Sequence, residues 1–215
     1  MPEKTEDGVR VAAKPSVSSR PPGRNRKLLI NATLDSIAEH GIAETTVSRI
    51  TEKAGLSRGM IHLHFGSKES LLAAAAEAYS GEYYAELDRG VAGKCEDPVD
   101  LIRAIIEADL GEGSLNTRSC RILHAFRGEA ATNPGIARFS STRDQRLRTM
   151  LHGSFSRLAG SSADPALASD ATLGTLALLE GMWADFLAHE DNFDRAIACR
   201  IVFRFLSALF PKHFA

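Results

Sequence analysis

The sequence predicts an all-α protein of about nine helices, with a small three-helix head carrying a helix-turn-helix on a larger helical body. Three observations carry that expectation. Apolar residues recur at helical spacing along most of the chain, as in Leu71, Leu72, Ala75, Ala78, Tyr79 and Leu87, or in Ile197, Ile201, Phe205 and Leu209. The breaks are punctuated by turn formers: Pro21-Pro22-Gly23, Gly111-Glu112-Gly113-Ser114, Asn133-Pro134-Gly135 and Gly160 to Pro165. The stretch 45–68, TTVSRITEKAGLSRGMIHLHFGSK, reads as a helix, a tight turn at Gly55 and a second short helix.

Totals narrow the function classes. The chain has 215 residues, 44% of them hydrophobic, enough for a small head and a body of ordinary size. A net charge of −1 argues against general coating of polyanions. Between Arg20 and Glu69, however, eight basic side chains stand against five acidic ones, so the head is locally basic. Cys95, Cys120 and Cys199 are odd in number and far apart, which fits a reduced cytoplasm rather than a disulfide framework. There is no membrane-length apolar run and no secretory leader pattern.

In chain order, residues 1–22 read as a disordered arm, 23–68 as the head and 69–215 as the body. Helix 1 is expected over 24–40, with Leu29, Ala32, Thr33, Ile37 and Ala38 facing inward and Gly41 as its C-terminal cap. Arg24, Arg26 and Lys27 open it and suit either phosphate contact or plain solvation. Thr45 or Thr46 caps helix 2, and Ser57 caps helix 3 in the same way. Ile50, Ala54, Leu56 and Ile61 lock the two helices across the turn, where Gly55 takes positive φ without a Cβ clash.

The second helix of such a pair enters the DNA major groove. Ser57, Arg58, Gly59, His62 and His64 are then its exposed residues, and Arg58 is the base reader, because a guanidinium pairs bidentately with guanine. Gly59 permits close approach. Lys68 opens helix 4 and meets a phosphate, and a helix start near Thr45 and Thr46 offers N–H groups to another. His62 and His64 are two apart, pointing away from each other on a helix, which disfavours a metal site. Phe65 reads as core.

His64-Phe65-Gly66-Ser67-Lys68-Glu69-Ser70-Leu71-Leu72 resembles the HF-x-x-K-x-x-LL signature of the TetR family of bacterial repressors, a match that runs from Gly23 to about Arg89. The resemblance implies a three-helix DNA-binding head and a body that binds a small molecule and dimerises. It also implies that helix 4, expected over 67–89, joins the two and tilts with the ligand. Many relatives carry Tyr where His62 stands, a departure that bears on base preference. Leu178-Leu179-Glu180-Gly181-Met182-Trp183, followed by Phe193 and Ala198, resembles more loosely the choline-responsive BetI-type branch.

The body is expected to hold helix 5 from Pro98 or Val99 to Leu110, helix 6 over 117–132, helix 7 over 135–159, helix 8 from Pro165 to His189 behind an Asp164 cap, and helix 9 from Asn192. The arginines of helix 7 read as a solvated face, with Arg143 and Arg146 the alternatives for an interface or ligand contact. Helices 8 and 9, with Gly174 and Gly181 on one face and the Ile197 ladder on the other, suit a four-helix homodimer interface.

A ligand pocket is expected among helices 5 to 8, with Ile105, Asp109, Phe126, Phe155, Trp183 and Phe186 as candidate lining. Aromatic faces with a carboxylate suit a quaternary ammonium such as choline. The same residues serve equally as core, and His124 with Arg127 suits an anion instead, so the sign of the effector stays open. Cys120, between Arg118 and Arg121, reads as a small buried residue before a redox sensor. No G-x-S-x-G, H-E-x-x-H, Walker loop or G-x-G-x-x-G occurs, and no cofactor or metal is expected. The leading expectation is a dimeric, ligand-released repressor on a palindromic double-stranded operator; an all-α enzyme with an incidental corner and an activator are the alternatives.

Overall fold

Nine α-helices, one 3-10 turn and no strand make up the part of the chain that the computed structural model describes: residues 22–94, 96–160 and 164–214, with the side chains of residues 22 and 140–144 outside it. The helices are α1 (Pro22–His40), α2 (Val47–Ala54), α3 (Gly59–Phe65), α4 (Lys68–Val91), α5 (Pro98–Leu110), α6 (Thr117–Ala130), α7 (Pro134–Ala159), α8 (Leu167–Ala188) and α9 (Arg195–Leu209). The 3-10 turn is Glu190–Asn192. None of the described helices is long and apolar enough to cross a membrane. The expected arm, Cys95 and Arg143 lie outside the described residues, save that α1 already begins at Pro22.

The starts of the helices follow from short polar side chains. Thr46, Ser67, Asp97, Asn116, Asn133 and Asp194 each accept a hydrogen bond from a backbone N–H of the first turn they precede. At Asp97 the N–H of Asp100, with that of Val99, holds the carboxyl below the ordinary aspartate range. Two expected caps are placed differently. Thr45 is fully buried, its hydroxyl donating to the Gly41 carbonyl at 2.7 Å beside Ser36 Oγ, so Thr46 alone caps α2. Ser57 holds the start of α3 through its carbonyl, which accepts from Met60 N at 3.0 Å, and no side chain caps that helix. Asp164 accepts from Ala166 N at 2.9 Å, which tightens the turn but delays α8 to Leu167.

α4 is the spine. It packs on α1 and α3 and also on α5 and α7, burying Leu71, Leu72, Ala75, Tyr79, Tyr83 and Leu87. α1 makes a second connection, to α6. In the body, α8 packs between α7 and α9, and Phe155 of α7 stacks on Phe210 with ring centres 5.6 Å apart. Fully burying an aromatic side chain of this kind contributes roughly 1.5–3 kcal/mol. Gly174 lets α9 approach α8, since a Cβ there would stand 2.3 Å from Phe205 Cζ.

Candidate nucleic-acid interface and body cavity

The corner between α2 and α3 is closed as its sequence demands. Gly55 adopts φ 64°, ψ 36°, and its N–H and that of Leu56 return to the carbonyls of Glu52 and Thr51. Ile50, Ala54, Leu56 and Ile61 are buried beneath the corner. The outer face of α3 carries Gly59, His62 and Leu63, with Ser57 and Arg58 just ahead of it, all exposed. Arg58 donates to Ser48 Oγ on α2 at 2.8 Å, which holds the guanidinium at the mouth of the corner. His62 Nδ1 donates to the Gly66 carbonyl at 2.8 Å. Nothing within 4 Å would oppose a Cβ at Gly59, so its value is room on the outside of the helix.

Not every expected contact residue reaches this face. Thr45, fully buried, is not available to a phosphate. His64 is half-buried, its Nε2 covered and without a hydrogen-bond partner, and its ring meets Phe65 edge-on. Thr45 is thus engaged with α1 and the loop after it, and His64 with its neighbour on α3. Arg24 and Thr46 are exposed, Arg26 stands over the Phe65 ring at 5.1 Å, and Lys68 is half-buried at the start of α4. Leu63 is the residue that sequence reasoning passed over: it is 72% exposed, the most exposed large apolar side chain among the described residues. A leucine that a seven-residue helix leaves in solvent between two histidines was the available signal.

In the body, Asp109 of α5 is only 1% exposed. It accepts from Tyr83 Oη of α4 at 2.5 Å and from Trp183 Nε1 of α8 at 2.9 Å. Tyr83 and Trp183 also meet edge-on, with ring centres 6.3 Å apart. Asp109 and Trp183 form the floor of a cavity of about 210 Å³ whose walls are Leu147, Leu173, Leu176, Ala177 and Leu179, with Arg127, Arg148 and Glu180 at its polar side. Arg127 is ion-paired with Glu180.

Of the six expected lining residues, then, the cavity brings together Asp109 and Trp183. The other four are core. Ile105 and Phe155 are fully buried, Phe126 packs on Tyr79, and Phe186 sits between Phe193 and the Arg195 guanidinium. His124 turns its Nδ1 to the Cys120 carbonyl at 2.9 Å. Cys120 is fully buried and its thiol donates to the Trp183 carbonyl at 3.0 Å, which removes it from surface redox chemistry.

The cavity wall and the head are joined through α6. Arg118 donates through Nε and Nη2 to Asp35 of α1, both at 2.9 Å, and its Nη1 stands 3.6 Å from Glu82 of α4. Two residues further along α6 is Cys120, bonded to the backbone of Trp183. Arg146, one of the two residues singled out on helix 7, pairs with Asp88 at 2.6 Å over the Tyr84 ring.

A fold of α-helices with a Gly-closed helix-turn-helix corner, an exposed outer helix led by Arg58 and a separate body cavity defines a helix-turn-helix DNA-binding regulator. Comparison with known proteins makes this specific. Residues 29–75 match the model of the bacterial regulatory proteins of the tetR family, and residues 98–211 match that of the BetI-type transcriptional repressor C-terminal region. The HTH-type transcriptional regulator BetI of Stenotrophomonas maltophilia (strain R551-3) is 34% identical over 158 residues, 74% of this chain and 79% of the relative. A transcriptional regulator from Pseudomonas aeruginosa PAO1 superposes with a TM-score of 0.81 at 26% identity, over 92% of this chain and 95% of that one. A regulator from Saccharomonospora viridis, solved in complex with choline, shares the fold with a TM-score of 0.74 at 17% identity, over 86% and 96% of the two chains. The chain belongs to the TetR family of bacterial transcriptional regulators, with the body of a BetI-type transcriptional repressor.

Proposed function

We propose that this repressor binds a palindromic operator as a homodimer and leaves it when a small quaternary ammonium, choline or a close analogue, occupies the cavity above Asp109. The head would comprise residues 23–68 and the ligand-binding and dimerisation body 69–215; the protein would act in the cytoplasm. On the head, Arg58 reads a guanine, His62 and Leu63 flank it, Ser57, Gly59, Thr46 and Lys68 meet the backbone, and Arg24 and Arg26 approach neighbouring phosphates. Leu63 suits the methyl group of a thymine, which an aliphatic side chain recognises by contact.

The observation that carries the effector reading is Asp109: a buried carboxylate fixed by an indole and a phenol at the floor of a cavity with leucine walls and a polar side of Glu180, its ion partner Arg127, and Arg148. A cation over the Trp183 ring, near that carboxylate, gains both quadrupole and charge attraction. The Saccharomonospora viridis regulator, whose fold this is, was solved with choline. Dimerisation is supported by the unpartnered apolar face of α8 and α9, where Leu173, Leu187, Ile197 and Ile201 are each about two-fifths exposed or more, beside the close α8–α9 crossing at Gly174. Effector binding would shift α6 and α4, and with them the spacing of the two heads.

The test is fluorescence anisotropy on labelled DNA from upstream of the protein's own gene, at fixed salt, against scrambled DNA. Specific binding that choline reverses in the millimolar range or below supports the proposal. Operator binding that no concentration of choline disturbs rejects the effector; equal, salt-sensitive binding to both DNAs rejects that fragment as the operator.

A further inference from the structure

We infer that the body carries a second small-molecule site, between α4 and the α5–α6 loop, built for a zwitterion with an ammonium and a carboxylate. A cavity of about 240 Å³ lies there, lined by Tyr79, Glu82, Tyr83, Glu86 and Arg89 of α4, by Gly113, Ser114 and Asn116 of the loop, and by Arg118 and Ser119 of α6. Unlike the cavity above Asp109, where leucines stand beside the charged groups, this one has no aliphatic side chain among its described lining residues. Its volume, below the roughly 300 Å³ of common ligand pockets, limits it to a small molecule.

The ligand class follows from the charges and from one orphaned hydroxyl. Ser114 is 3% exposed and its Oγ has no hydrogen-bond partner, a cost that a native fold rarely leaves standing. Around it stand two carboxylates and two guanidiniums, Glu86 paired with Arg89 and Glu82 loosely with Arg118 at 3.6 Å. Both pairs are partly exposed to solvent, so a single-charge ligand gains little by competing with the water and partner already on one member, whereas an occupant carrying both charges meets a carboxylate and a guanidinium at once. A zwitterion inserted between Glu82 and Arg118 replaces one loose ion pair with two tighter ones, its ammonium on Glu82 and its carboxylate on Arg118 Nη1, while Ser114 Oγ, enclosed in the wall and unpartnered, gains a partner by turning toward that carboxylate. The remaining nitrogens of Arg118 hold Asp35 of α1, so the occupant engages the same guanidinium that fastens α6 to the head.

The test is titration of the full chain, labelled with ¹⁵N, with glycine, β-alanine and 4-aminobutyrate, which span increasing charge separations, and with methylamine and acetate as single-charge controls. At least one zwitterion is expected to bind saturably, about tenfold or more tighter than either control. Glu82→Gln and Ser114→Ala should each weaken it by about tenfold. Ser114→Ala removes a buried hydroxyl that bonds to nothing, so its melting temperature without ligand should equal or exceed the parent's, and a loss of binding reports the site itself. No saturable binding of any of the three zwitterions up to about 0.1 M, controls that bind as tightly, or binding that Ser114→Ala and Glu82→Gln leave unchanged, would overturn the inference. The outcome does not depend on choline or on DNA.

Discussion

The outer face of α3 and the carboxylate of Asp109 are both polar features on helices of the same protein, and they are built in opposite ways. On α3 the informative residues stand in solvent. Arg58 is steadied by one hydroxyl, Gly59 only clears space, and Leu63 is left uncovered where no fold would need a leucine. At Asp109 the polar group is enclosed, and its tyrosine and tryptophan partners are themselves core. An exposed site can be altered with little harm to folding, whereas an enclosed one serves stability and binding with the same atoms. Substitutions in the first region should therefore separate function from stability, and those in the second should not.

The largest effect is expected at the enclosed site. Asp109→Ala strands the Trp183 N–H and the Tyr83 hydroxyl in the interior, and denaturant unfolding should show a loss of about 2–5 kcal/mol. Asp109→Asn keeps the acceptor for one of the two donors and should lose distinctly less. A stability loss within about 0.5 kcal/mol for Asp109→Ala would show that the site is not the closed unit described. The α8–α9 face comes next: Ile197→Asp with Ile201→Glu places charges on an exposed apolar surface, and should convert a dimer to monomer in sedimentation at micromolar concentration while the helical signal is kept. A variant that stays dimeric would move the interface elsewhere.

On α3 the effects should be on DNA alone. Arg58→Ala should cost about 1–3 kcal/mol of operator affinity and less on scrambled DNA, with an unchanged melting curve. Equal losses on both DNAs would reduce Arg58 to a phosphate contact. Leu63→Ala should cost less, a few-fold, and mainly for operators with a thymine beneath it. The smallest effect is a pH dependence. The Asp97 carboxyl is lowered by the N–H groups of Asp100 and Val99, so its contribution to stability is present above the ordinary aspartate pKa and is lost as the pH falls through the lowered one. Asp97→Asn should flatten the acid limb of the stability profile and lower the neutral plateau by the contribution it removes.

The same contrast explains what was legible in the sequence. The helices were legible because glycine, proline and capping residues mark their ends, and the corner at Gly55 because a positive φ between two apolar runs leaves little else to choose. Boundaries slipped where a backbone group did the work of a side chain, as at Ser57, or where Asp164 closed a turn instead of starting a helix. Thr45 and Thr46 are chemically alike, and only packing against Ser36 and Gly41 decides which is buried. In the body, Phe126, Phe155 and Phe186 share the helical spacing and hydrophobicity of Trp183, and which ring faces a cavity depends on how α5 to α8 cross, information that no single helix contains. Ser114 was invisible for a similar reason: a serine in a Gly-rich loop is ordinary until its burial leaves the hydroxyl alone.

The central claim, that the cavity above Asp109 and the face of α3 are two ends of one equilibrium, is tested most directly by calorimetric titration of choline into the protein alone and into its operator complex. Linkage requires the two affinities to differ, choline binding more weakly to the complex by the factor through which it weakens operator binding. A matching factor of about 5–150 is the result this account predicts. Equal choline affinity with and without operator, or no choline binding in either case, would contradict it.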